Sequence, residues 1–129
     1  MKIFNKTDGW REKVNFVDEN NVVLGYDLSQ GCCESAGWFI RDQPSDVVCE
    51  EWTDGLLDMP GWVFDINFFK QVEDTGTSSS FGGGGGMVIF RIVKGPEEKF
   101  IHIFNIQNGY YCHGFEFVVP GGDIKEGAL

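Results

Sequence analysis

The sequence predicts a mainly β fold, an antiparallel meander forming a bent sheet, a small sandwich or a barrel, with at most one or two short helices. Three observations carry that prediction. Runs of β-branched and aromatic residues recur at short intervals, polar or glycine-containing breaks separate them, and no convincing helical stretch follows each strand. Strands joined by tight turns are antiparallel, because a parallel pair needs a long crossover.

The elements follow in order. "KVNFV" and "VVLGYDL" flank the polar break "DENN", which reads as a hairpin over residues 13–28. A third strand is expected at residues 36–40. "RDQPSDVVCEEWTDGLLDMPG" offers Ser45 and Asp46 as caps and Gly and Pro as stops, so it reads as a short helix or irregular segment. "GWVFDINFFKQVE" alternates, with Trp62, Phe64, Ile66 and Phe68 on one face, and reads as one continuous strand. Residues 74–86 are a flexible Ser/Gly loop ending in five glycines; it lacks the Lys and Ser/Thr of a P-loop and has no helix behind it. "MVIFRIV", "FIHIFNI" and "YYCHGFEFVV" then complete the meander, and residues 120–129 form a C-terminal tail.

At 129 residues, 42% of them hydrophobic and with twelve Phe and four Trp, the chain is expected to fold as a single domain over residues 1–129 around one aromatic core. Ten Lys and Arg against twenty Asp and Glu leave a net charge of -10, which repels phosphate backbones and anionic lipid heads. Direct nucleic-acid binding is therefore not expected, nor is a membrane. No signal-peptide-like stretch opens the sequence, so a cytoplasmic protein is expected, with Cys32, Cys33, Cys49 and Cys112 as thiols.

Asn108-Gly109 is a strong hairpin signal. A two-residue turn there pairs residues 100–107 with 110–117 and puts Phe100, His102, Phe104, Ile106, Tyr111, His113, Phe115 and Phe117 on one face. Both histidines would then lie within reach of a shared ligand, although two histidines on an apolar face are more often packed, neutral and hydrogen-bonded. Cys112 falls on the face opposite His113, and the cysteine spacings match no compact knuckle, so neither a metal nor another cofactor is expected.

"SQGCCESAGWF" holds the remaining chemistry. In an extended chain Cys32, Glu34, Ala36, Trp38 and Ile40 share one face, and Cys33, Ser35, Gly37 and Phe39 the other. Glu34 would sit near a buried surface beside a thiol, where its carboxyl is either held by backbone N–H groups or perturbed for chemistry. "YDLSQGCCESAGWFI" followed later by "NGYYCHGFEF" resembles a family of small phage and bacterial proteins of unknown function. Members carry Cys-Cys-Glu-Ser after a strand, then an acidic segment, then strands closing with Asn-Gly-Tyr-Tyr. The resemblance implies that Cys32, Cys33, Glu34 and Ser35, with Tyr110 and Tyr111, are family features and candidate binding residues. It implies no activity, and Cys112-His113 and the Ser/Gly loop depart from its pattern.

The expectation is a domain that binds another macromolecule, a protein, without catalysis. The alternatives are an enzyme using Glu34 with Cys32 or Cys33 and one of His102 and His113, and carbohydrate binding through Trp10, Trp38, Trp52 and Trp62.

Overall fold

The computed structural model describes residues 1–9, 11–29, 35–45, 58–73, 85–106, 113–122 and 124–129. Among them there are ten strands and no helix. The strands are β1 (Lys2–Asp8), β2 (Arg11–Val17), β3 (Val23–Asp27), β4 (Ser35–Arg41), β5 (Val63–Phe64), β6 (Lys70–Glu73), β7 (Gly85–Lys94), β8 (Glu97–Ile106), β9 (Gly114–Val118) and β10 (Ile124–Ala128). All pairs are antiparallel. Sheet A runs β1-β2-β3-β9-β10, and sheet B runs β4-β8-β7-β5, with β6 also on β7. The two sheets pack face to face as a sandwich and do not close into a barrel.

The core between them follows from alternation. Val14 and Phe16 on β2, Leu24 and Tyr26 on β3, and Phe115 and Phe117 on β9 point inward from sheet A. Val88, Phe90 and Ile92 on β7, with Ile101 and Ile103 on β8, meet them from sheet B. Phe117 sets its edge against Phe64 at 5.1 Å and packs tilted on Phe90 at 5.0 Å, and each ring of this size contributes about 2 to 3 kcal/mol when fully buried. Two polar bolts cross the core. The Tyr26 hydroxyl donates to the Phe104 carbonyl at 2.7 Å. Asp18, buried in the β2–β3 turn, accepts from the backbone N–H groups of Asn20 and Val22 through Oδ1 and from that of Phe64 through Oδ2, each at 2.9 Å.

The hairpin at residues 13–28 and the strand at 36–40 form as expected. Ala36, Trp38 and Ile40 face the main core, while Phe39 faces away from it. The N-terminal stretch adds β1, joined to β2 through Gly9, which has φ +63°. Asp8 pairs with Arg11, so Gly9 takes the first central position of the connection, where a positive φ is needed and glycine adopts it without strain.

Three expectations are corrected. The strand at residues 61–73 is broken: Phe64 pairs with Ile92 and Lys70 with Ile89, so five residues bulge opposite two on β7. Asp65 causes the break, since its Oδ1 accepts from Asn67 N–H, its carbonyl accepts from Phe68 N–H, and its Oδ2 binds Arg91 at 2.8 Å. Ile66, placed inward by alternation, is 45% exposed. Next, β8 and β9 do not pair. They lie in different sheets, because β9 fits between β3 and β10, where Phe115 and Phe117 complete sheet A's inner face. The turn at Asn108-Gly109 lies outside the described residues. Last, residues 124–128, read as part of a tail, are an edge strand on β9, and Gly85 and Gly86 of the Ser/Gly segment belong to β7.

Candidate functional site

Of the residues the sequence singled out, the structure describes His102, His113, Trp38 and Trp62, and the backbone of Ser35, which pairs with Ile106 at the start of β4. Cys32, Cys33, Glu34, Cys49, Cys112, Tyr110, Tyr111, Trp10 and Trp52 lie outside the described residues. The two histidines do not share a face, because His102 is on β8 in sheet B and His113 immediately precedes β9 of sheet A. His102 lies on the side of sheet B away from the main core, its ring stacked on Phe39 at 4.3 Å. Its Nε2 accepts from Ser45 N–H at 3.0 Å, so Nδ1 carries the proton and donates to the Phe100 carbonyl at 3.1 Å. Burial pushes its pKa down to about 4, and the nearby Arg41 charge acts in the same direction, so the ring is neutral at pH 7.

His113 instead lies on the core side of sheet A, 6.2 Å from the Tyr26 ring, with Nδ1 2.7 Å from the Asp27 carbonyl. Its backbone pairs in both directions with Leu129. Each histidine is thus held by backbone groups and rings. Among the described residues no group of His, Cys, Asp and Glu could hold a metal ion. Trp38 and Trp62 pack into the core, Trp38 edge-on to Phe16 at 5.0 Å, and neither forms a platform for a sugar ring.

The distinctive surface lies elsewhere, on the outer face of sheet A. The two sheets differ in how they meet solvent. Sheet B is buried on both sides, since Phe39, Met87, Ile89, His102 and Phe104 on its outer side are as inaccessible as its core residues. Sheet A leaves its outer face open. At one end of that face is a depression of about 570 Å³. Gly114 and Gly127 form part of its wall, with cations at Lys6, Arg11 and Lys13 and carboxylates at Asp8, Glu12, Asp27, Glu116 and Glu126. Lys13 reaches across β3 to ion-pair with Glu116 on β9, passing over Gly25, which lies buried beneath the pair.

The other end of the face is aliphatic. Val17 pairs with Val23, Val23 with Val118, and Val118 with Ile124, so four β-branched side chains stand in one row across β2, β3, β9 and β10. The valines are half-buried and Ile124 is 57% exposed. At ~4.8 Å per strand the row is ~14 Å long. Phe4, 42% exposed on β1, adds to the apolar surface beside it. The sequence carried part of this signal: in "FEFVV" Phe115 and Phe117 alternate inward, which sends Glu116 and Val118 outward together. The partners of Val118 could not be read, because Val23 and Ile124 are brought beside it by pairing over long stretches of chain.

No protein-family model, curated protein or solved structure matches the chain.

Proposed function

We propose that this chain is a binding module that holds another protein on the outer face of sheet A. The observation that carries the proposal is the aliphatic row Val17, Val23, Val118 and Ile124. An antiparallel sheet open to water on one side ordinarily alternates apolar-in and polar-out, whereas this row is apolar on the wet side of four adjacent strands. Continuous exposed apolar surface rimmed by polar groups is the mark of an interaction site. The charged depression beside it supplies that rim. A net charge of -10 disfavours a phosphate backbone as the occupant and leaves protein as the partner class. Packed, backbone-bonded histidines agree with a module that binds without catalysis.

Replacing Val23 and Val118 together by Lys tests the reading. The side chains are half-exposed, so the variant is expected to melt close to the parent and to lose the partners that the parent retains in pull-downs from its source cell. A folded double variant that retains the same partners would show that this face is not where they bind.

A further inference from the structure

The outer face of sheet A also indicates the chemistry of its occupant, an inference that rests on the binding reading above. In the row next to the aliphatic one, Glu116 and Glu126 stand in direct cross-strand register on β9 and β10. Like charges directly opposite each other destabilise a sheet. Lys13 neutralises Glu116 from the far side of Gly25, but no hydrogen bond or ion pair engages Glu126 among the described residues. This carboxylate therefore sits on the open surface, about two residues' rise from Ile124 and Val118, at the apolar row's flank. The whole chain adds to that field with twice as many acidic as basic residues.

We infer that the face takes a basic amphipathic segment of a partner protein. Its apolar side chains lie along Val17, Val23, Val118 and Ile124, and its Lys or Arg side chains reach Glu126. A cation placed there gives Glu126 the partner it lacks in the free sheet. A second copy of this chain is the poorer occupant, because it brings the same pair of glutamates and the same net charge of -10 to the contact.

The test uses two synthetic peptides with the same amphipathic pattern of leucines, one with Lys and the other with Glu at every polar position. Each is titrated into the full chain with amide resonances as the readout. Expected are saturable shifts at Val17, Val23, Val118, Ile124 and Glu126 with the Lys peptide and none with the Glu peptide. Val23→Thr with Val118→Thr, which removes apolar surface without changing charge, should weaken the Lys peptide about tenfold. Glu126→Gln should weaken it about threefold, and Glu97→Gln, at the start of β8 in sheet B, should leave it unchanged.

Equal weakening by Glu97→Gln and Glu126→Gln would reduce the effect to the chain's overall charge and overturn the inference, as would absence of binding by the Lys peptide. So would concentration-dependent dimerisation abolished by the Thr variant, which would make a second copy the occupant. The outcomes also separate the two readings. A partner lost with the Val23 and Val118 variants but docking through a neutral or acidic segment overturns the basic occupant alone, whereas a partner indifferent to those variants removes the docking face itself.

Discussion

Two glycines of sheet A stand where a β-carbon would collide with a neighbour, and the neighbours differ in how easily they yield. A methyl group on Gly25 would meet the end of the Lys13 side chain, Cε at 2.5 Å, which can swing into water. The loss is then the half-exposed pair with Glu116, worth about 0 to 1 kcal/mol. A methyl group on Gly127 would meet the Phe115 ring at 2.8 and 2.9 Å, and that ring is fixed among Phe69 and Phe90 in the core. Gly127→Ala is therefore expected to cost about 1 to 3 kcal/mol by overpacking and Gly25→Ala less than about 1, as read from urea melts; equal losses would mean that the ring moves as freely as the lysine. His102 gives a prediction in pH. Its folded pKa of about 4 lies below the ordinary 6.5, so between those values the unfolded chain binds the extra proton. Its contribution is complete above pH 6.5 and is lost as the pH falls towards 4. The loss is on the order of 2 kcal/mol after allowance for screening. His102→Gln should flatten that part of the stability profile relative to the parent; an unchanged slope would assign it to the carboxylates.

At the scale of elements, alternation and polar breaks made β2, β3, β4, β7 and β8 legible, because each is defined by its own residues. Both faces of sheet B are buried, which explains why "MVIF" and "FIHIF" read as nearly unbroken apolar runs while "FEFVV" alternates. The broken strand at residues 63–73 was not legible. Periodicity sees Ile66 and Phe68, whereas the break comes from a carboxylate bonding to backbone two residues on. Asp18 works in the same way at the "DENN" turn, where a residue that looks like ordinary loop polarity accepts three backbone N–H groups, two of them in buried bonds, and ties the β2–β3 turn to β5. Asp18→Ala would leave those donors without a partner and should cost about 3 kcal/mol or more, and Asp18→Asn less, in thermal or urea unfolding. An alanine variant within 1 kcal/mol of the parent would show that water replaces the carboxylate. The candidate site was legible only in halves: Glu116 and Val118 could be placed outward, but their neighbours across the sheet come from other parts of the chain.

For the molecule as a whole, what the sequence hid is which strands meet. An Asn-Gly dipeptide argues for a turn and says nothing about whether burying Phe115 and Phe117 against Leu24 and Tyr26 outweighs the local pairing, as it does here. The chain therefore enters sheet A, leaves it for sheet B, and comes back with β9 and β10. A chain ending at residue 112 lacks both returning strands and is expected to show no cooperative unfolding transition and no dispersed amide spectrum; a native-like spectrum from it would mean that β1, β2 and β3 suffice. This return path imposes an order on synthesis. Asp27 and His113 are 86 residues apart, roughly 4 to 17 s at ribosomal rates, and for that interval β3 emerges as an unpaired edge with Leu24 and Tyr26 uncovered. The nascent chain thus passes through a stage in which the β2–β3 hairpin is a template for any passing strand. The arrival of β9 closes that edge.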